Sequence, residues 1–586
     1  MLPTFLVQRI IPRMRRWRLV VQLAREAGWR HLASLGLFSG LSSLLDIAGL
    51  GIGVSLLLGG AGAGLGLPLP IGLTLQQGLL ALVMLMLLRG GLQALVAIGQ
   101  ERLRSGFTDR LRQQLLSLVL HASAVQLEKL GRGELLGLLM ADISRSVLAL
   151  DQGIRTLQAL LSLTLYAAGV LVVGQAAAIP LLLALIATGA AALLQRSGSW
   201  QLGRLQTHLN GALQRTVGDG LHGLKAVRAA AAEGWLLQRF AQDNARFRRV
   251  LRQTVRRQAL FTTLRDTLVV LVVGVWLIWS RADLPASAMA TTLLLAYRTA
   301  TSLSGVISAQ RLCLGSLPGY EELCNRRQLL VPPTQQLQAK VMEPAALQVL
   351  EHPTRWMALQ WSPGSIDPSI EPVRLEVGKL VAVVGPSGSG KTTLLDRVCG
   401  LLGEESSCWR IQTADGVLEI SGAAGARQLR QLLAYAPQDA VLFEASLRHN
   451  LLLSQEHSSE ELDPWLDLLG LTHLAQRPGG LDDPLSLALD HFSGGEMHRL
   501  GLLRAWLRDR PIEVLDEPTA FLDAASAKQV RAIIAERCKR RLVLVSTHDP
   551  ELINQAHQLV RLNATDRTLV EKEHDGHSVR GKRGYG

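Results

Sequence analysis

Six stretches of the chain are apolar over about the 20 residues that a membrane crossing needs. They run roughly 31–59, 75–98, 156–175, 177–196, 260–280 and 285–306. Their connections differ in kind. "GGAGAGLGLPLPIG" after the first stretch carries no charge, the third and fourth stretches abut, and the fifth and sixth share only "SRADLPA". The 99–155 and 197–259 connections are long, polar and rich in Arg. Positive residues stay on the cytoplasmic side, so this asymmetry predicts a multi-pass protein of the inner (plasma) membrane. Both long connections, both termini and everything after the sixth stretch would then be cytoplasmic. The long connections read as helices continuing out of the membrane, as in "ERLRSGFTDRLRQQLLSLVL". Each breaks once, near Gly131–Ile143 and Leu224–Phe240, where either a short crosswise helix or an ordinary hairpin tip fits.

The pattern changes after residue 318. Residues 319–345 are polar, contain "VPPTQQLQ" and read as a linker. From 346 to 565, short apolar runs ("KLVAVVG", "IEVLDE", "RLVLVSTH") alternate with helical stretches, which predicts an α/β domain on a largely parallel sheet. Residues 566–586 form a polar tail, expected to be disordered. The predicted architecture is therefore an all-α six-helix transmembrane domain over 31–318, followed by an α/β domain.

Composition changes this picture in two places. The 586 residues are 48% hydrophobic with only 4% aromatics, and the net charge is +13; the mean hydropathy is +0.22. A basic chain can bind nucleic acid, but here the positive charge lies in the cytoplasmic connections and serves orientation. The spans exclude a soluble nucleic-acid ATPase. Residues 1–30 carry Arg9, Arg13, Arg15, Arg16, Arg18, Arg25 and Arg30 against Glu26 alone, with Trp17 and Trp29 interleaved. They predict a basic amphipathic helix on an anionic lipid surface. The start lacks the pattern of a cleavable signal peptide. The five cysteines show no metal-ligand spacing and read as reduced cytosolic thiols.

The chemistry is concentrated in the second domain. "VAVVGPSGSGKTTLLDRV" is a strand, a glycine loop and a helix, and it fits G-x-x-x-x-G-K-[ST] with Gly385, Gly390, Lys391 and Thr392. The glycines free backbone N–H groups for phosphate oxygens, Lys391 reaches the outer phosphates and the Thr392 hydroxyl ligates magnesium. "PIEVLDEP" ends a strand in Asp516, suited to hold magnesium, and Glu517, suited to orient or deprotonate the attacking water. Glu513 stands inside the same apolar strand and needs a partner or an exposed face. Past the next strand, "VSTHDPE" places His548 to hydrogen-bond the γ-phosphate, and "YAPQDAVLF" places the Gln438 amide to reach magnesium and the attacking water. "HFSGGEMHRL" opens a second helix on a glycine turn, Ser493, Gly494 and Gly495, which is another anion site.

Taken together, Gly385, Pro386, Ser387, Gly388, Ser389, Gly390, Lys391, Thr392 and Thr393, then Gln438, Ser493–Glu496, Asp516–Glu517, Asp523 and His548, resemble the Walker A, Q-loop, signature, Walker B, D-loop and H-switch of an ABC ATPase. Six spans before one such P-loop NTPase domain resemble a bacterial ABC exporter half-transporter over nearly the whole chain. The two helix breaks resemble that family's coupling-helix regions. Trp361 stands where the family usually has a Tyr stacked on adenine; a Trp there can stack equally well or, as a lone aromatic, simply pack. The resemblance implies ATP and Mg2+ as ligands. It also implies a dimer, because each ATP lies between one chain's Walker A and the other chain's signature; a homodimer is favoured and a heterodimer possible. Two features depart from the family. Glu496 replaces the usual Gln; ATP binding is expected to survive there because the donors Ser493 and Gly495 remain, with weakened closure on the borrowed phosphate and an incidental substitution as the alternatives, and the acidic segment before the signature is hard to find in "LDDPLSLALDH".

The implied function is ATP-driven export or flipping of a hydrophobic or amphipathic substrate. The alternatives are one half of a heterodimeric exporter and a membrane-anchored regulatory ABC ATPase that does not itself transport. The absence of a peptidase domain before the spans argues against a leader-peptide processor. Asp46, Arg89, Arg265 with Asp266, and Arg298 fall inside the spans. Such charges pair with each other or face a cavity. Arg89 and Arg298 facing the cavity would favour an anionic amphiphile.

Overall fold

The computed structural model describes residues 17–57, 75–194, 197–280, 286–330, 342, 350, 356–363, 372–403, 407–453, 459–477, 479–485 and 492–562. Most of the linker, the polar tail, the first half of the basic N-terminal segment and the 486–491 stretch before the signature lie outside these residues. The chain divides into two compact units, one of Met1–Ala122 with Leu127–Val331 and the other of Ser123–Gln126 with Pro332–Gly586.

The described residues of the first unit are almost all helical. Its long helices are Trp29–Leu57, Leu75–His121, Ile143–Gly174, Ile179–Leu194, Ser197–His222, Glu233–Ser280 and Ala286–Leu330. The described part of each apolar stretch lies in one of them, apart from the turn that separates the third stretch from the fourth. Four helical runs among the described residues are long and apolar enough to cross a membrane: Trp29–Val54, Gln76–His121, Glu134–Ala187 and Thr262–Trp279. The described part of Ile179–Leu194 is only 16 residues long. Ala286–Leu330 is not among the four, and it is diluted by Thr291, Thr292, Thr299, Thr301, Ser302 and Ser304. The outward face of the second span is bare hydrocarbon: Leu79, Leu80, Met84, Leu87 and Leu88 are each more than half exposed. A patch of that size belongs in lipid.

The third and fourth stretches are separated by a single 3-10 turn, Gln175–Ala178, entered at Gln175 with φ 46°. Trp276 caps this turn by donating to the Ala177 carbonyl at 2.7 Å. Both long connections continue the helices and break where expected. The first break holds two short helices, Ala124–Leu130 and Arg132–Gly137, hinged at Gly131 (φ 74°), and the second holds Leu224–Ala229. Helices Ser197–His222 and Ala286–Leu330 touch backbone to backbone at Gly203 and Gly315, where any Cβ on Gly203 would collide with the Gly315 carbonyl.

Among the described residues, the second unit has two sheets. Five parallel strands run in the order β6-β7-β8-β3-β9: β3 is Leu380–Val384, β6 Leu433–Ala436, β7 Ile512–Asp516, β8 Leu542–Ser546 and β9 Gln558–Arg561. β7 and β8 are buried on both faces, as parallel strands covered by helices must be. A second, antiparallel sheet has the order β2-β1-β4-β5, with β1 Trp356–Ser362, β2 Val373–Glu376, β4 Cys408–Thr413 and β5 Gly416–Ser421. The apolar runs do not predict this sheet, because its strands alternate weakly. Its inward residues Trp361 and Trp409 share a core with Val381 and Val383 of β3.

Glu513 finds its partner inside the fold. Arg537, from helix Ala524–Cys538, reaches both carboxylate oxygens at 2.7 and 3.0 Å, and Arg541 approaches at 3.2 Å. Asp509 closes the cluster against both arginines.

Candidate functional site

The site is assembled where the parallel strands end. β3 delivers the loop from Gly385, and Gly388 (φ 79°) and Gly390 (φ 92°) take left-handed conformations that a side chain would strain. Gly390 caps the helix Lys391–Val398, so the free N–H groups of that helix face the loop. Gly385 has no room for a Cβ: the Leu562 carbonyl and the Ser389 hydroxyl close on it. The Ser389 hydroxyl is itself buried without a partner.

Lys391 is nearly buried and donates to the carbonyls of Gly385 at 3.1 Å and Pro386 at 3.4 Å. It also lies 2.8 Å from His548 Nε2 and 3.9 Å from Glu517 Oε1. The Thr392 hydroxyl donates to Asp516 Oδ2 at 2.8 Å, so residues 124 apart in sequence meet as two hard oxygen ligands. Asp516 is 1% exposed, and its other oxygen accepts from the Ser546 hydroxyl. That hydroxyl in turn accepts from the Glu517 N–H at 2.9 Å.

Glu517 has φ 51°, a strained value for a non-glycine residue. The turn separates the two acids: Asp516 stays in the strand end, and Glu517 faces the cleft. Its Oε2 accepts from the His548 N–H at 3.3 Å, and its Oε1 lies 3.5 Å from His548 Nε2. One cleft is lined by Ser387, Gly388, Gly390, Lys391, Thr392, Thr393, Gln438, Asp516, Glu517 and His548. Glycine-loop N–H groups, an orphan serine hydroxyl, a lysine and the Thr392–Asp516 oxygen pair fit a nucleotide triphosphate with a divalent cation.

One expectation needs correction. Trp361 is 0% exposed and packed in the core between the two sheets, so it offers no face to adenine. Asp523 caps the helix Ala524–Cys538, accepting from the N–H groups of Ala525 and Ser526 at 2.9 Å each and from the Ser526 hydroxyl. Those hydrogen bonds hold its carboxyl below the usual range and commit Oδ1 to the cap.

The Glu496 acid does not point out of the signature turn. It accepts from the Ser493 N–H at 2.7 Å while the Ser493 hydroxyl accepts from the Glu496 N–H at 3.2 Å, a closed capping box. His473 Nε2 sits 2.8 Å from its other oxygen. Burial pushes the Glu496 carboxyl up, but the Ser493 and His473 contacts win and hold it below its ordinary value. Gln can make the same cap. We expect Glu496→Gln to keep ATP affinity and turnover within about twofold of wild type, and Glu496→Ala to lose about 1 kcal/mol through the broken cap. Nucleotide titration and thermal unfolding measure the two effects.

Ser493, Gly494, Gly495 and Glu496 are absent from the cleft lining. Ser493 and Gly494 are exposed, and Gly495 passes so close to the Phe521 carbonyl that a Cβ would lie 2.9 Å from it. His498, on the same helix, contacts the Gln438 carbonyl at 3.2 Å and so ties the signature helix to the Gln438 loop. Sequence reasoning missed Ser546, which fixes both acids; a lone Ser closing an apolar strand just before His548 was the available signal. It also missed Arg531, which grips Asp549 at 2.7 Å beside His548.

Residues 372–520 match the ABC transporter family. The chain is 35% identical over 191 residues to the glutathione/L-cysteine transport system ATP-binding/permease protein CydC of Escherichia coli, covering 32% of each chain. It is 31% identical over 213 residues to an ATP-dependent lipid A-core flippase of Ralstonia nicotianae, covering 34% of this chain and 35% of that one. The match thus spans about a third of the length of these curated relatives. In three dimensions, 94% of the chain superimposes on 95% of a bacterial Atm1-family ABC exporter with ATP bound, at a TM-score of 0.71 and 18% identity.

Proposed function

We propose that this chain, an ABC half-transporter by its ATPase domain and its exporter fold, drives export or flipping of an amphipathic substrate across the inner membrane with ATP. The observation that carries this reading is the meeting of Lys391, Thr392, Asp516, Glu517 and His548 in one cleft at the ends of the parallel strands. In that cleft the loop N–H groups and Lys391 hold the phosphates, and Thr392 and Asp516 hold Mg2+, which supplies charge neutralisation at the transferred phosphoryl group. Glu517 takes the proton of the attacking water, and Gln438 and His548 orient it against the γ-phosphate.

The exposed signature turn lies outside its own chain's cleft, and this supports a two-chain arrangement in which Ser493 and Gly495 serve the partner's ATP. A lipid flippase among the relatives supports an amphipathic substrate. The exposed apolar spans support a multi-pass position with the ATPase unit in the cytosol. The test is uptake of labelled amphiphiles into inverted membrane vesicles. We expect accumulation to require hydrolysable ATP; ATP hydrolysis without any accumulation would leave a membrane-anchored regulatory ATPase.

A further inference from the structure

Helices Trp29–Leu57, Leu75–His121, Ile143–Gly174 and Ala286–Leu330 line a polar cavity in the helical unit. One acid stands against two bases there. The Asp46 side chain is 1% exposed and lies 2.8 Å from Arg89 Nη1 and 3.2 Å from Arg298 Nε, and its Oδ2 accepts from the Tyr166 hydroxyl at 2.7 Å. The sequence alternatives for these charges, pairing or facing a cavity, are both realised: the three pair, and both arginines line the cavity.

The pairing does not balance. Two guanidiniums against one carboxylate leave one positive charge, and Arg89 Nε and Gln158 Nε2 are buried without an acceptor. An unmet buried donor costs about 1–3 kcal/mol, and net charge inside an apolar span adds to that cost. An acceptor carrying one negative charge, supplied from outside the chain, relieves both.

We infer that this cavity is the headgroup subsite for the transported molecule and takes a single oxyanion, a phosphate or a carboxylate. Asp46 is the internal counter-ion that holds the two guanidiniums toward the cavity and limits their excess to one charge. The inference rests on the export reading above and names the substrate class within it.

The experiment changes the charge count in both directions. Full-length protein in neutral detergent is titrated by calorimetry with short-chain phosphatidylglycerol and, separately, with inorganic phosphate. ATPase activity is followed in phosphatidylcholine vesicles with and without phosphatidylglycerol. Arg298→Gln makes the cavity neutral and is expected to weaken binding about tenfold, whereas Asp46→Asn raises the excess to two and is expected to tighten it several-fold. Asp46→Asn with Arg89→Gln returns the excess to one and restores binding near wild type. Gln158→Leu removes a donor without touching the ion pairs and weakens binding about threefold.

Binding of the phospholipid alone assigns a lipid headgroup, and binding of both ligands assigns the oxyanion itself. If neither ligand binds wild type, or if Asp46→Asn and Arg298→Gln weaken binding alike, the cluster is a structural ion pair and the inference falls. Charge-ordered binding in a protein without ATPase activity would sink the export reading and keep the site. Normal ATPase activity with charge-blind binding would sink the site alone.

Discussion

Replacing Glu517 with Gln is expected to cut ATP turnover by about 10²–10⁴-fold, the usual worth of a positioned general base. ATP binding should be nearly unchanged. The substitution keeps side-chain volume and the strained turn at φ 51°, which is set by the Glu517 N–H contacts to the Ser546 carbonyl and hydroxyl rather than by the carboxylate. What disappears is a basic oxygen pair that faces the cleft, with Oε2 3.3 Å from the His548 backbone nitrogen and Oε1 3.9 Å from Lys391 Nζ. Asp516 cannot substitute, because it is 1% exposed in the strand end, and its remaining lone pairs are the ones that serve Mg2+ beside Thr392. Phosphate release by the purified protein, with a parallel nucleotide titration, measures both quantities. A loss below about tenfold would place the base elsewhere, and a parallel collapse of ATP affinity would make Glu517 a binding residue.

The parts of this site visible in the sequence are those encoded by local spacing. Gly385 to Thr393 form one contiguous strand, loop and helix, and Asp516, Glu517 and His548 each end an apolar run. Their order along the chain suffices to group them, because parallel strands bring their C-terminal ends together. The membrane helices are equally legible, since hydrocarbon demands length and apolarity and little else.

Most of what the sequence does not show depends on a contact distant in sequence, and the rest on local capping. Trp361 reads as an adenine platform only if β1 shows it to solvent, and the antiparallel sheet that buries it against β3 and β4 has no strong period of its own. Glu496 reads as a stray charge near a phosphate until the Ser493 box and His473, 23 residues upstream, are in place. Asp523 is a helix cap in a position where the family resemblance suggests a nucleotide contact, and capping is the commoner fate of an Asp one residue before a helix. Asp46, Arg89 and Arg298 are visible as misplaced charges, but their two-to-one imbalance appears only when three helices meet.

Arg537→Met is expected to destabilise the ATPase unit by about 3–5 kcal/mol, because it strands a carboxylate in a strand buried on both faces. Glu513 is 1% exposed, and Arg537 supplies three of its close contacts, with Arg541 contributing one at 3.2 Å. Burial already pushes the Glu513 carboxyl above its ordinary range, with Arg537 and Arg541 pulling it back. Without Arg537 the upward push grows, and the folded variant binds a proton that the unfolded chain releases. Stability of the variant therefore falls as pH rises above the unfolded carboxylate range, and the deficit relative to wild type should be larger in alkaline than in mildly acidic buffer. Glu513→Leu combined with Arg537→Met removes both charges and leaves Asp509 paired with Arg541, so it should recover most of the loss. Thermal unfolding of the four proteins across pH measures this cycle. A deficit that is flat with pH, or a double variant no better than Arg537→Met, would mean that Arg537 acts through its packing over Trp465, 5.8 Å from the ring centre, and not through the charge it neutralises.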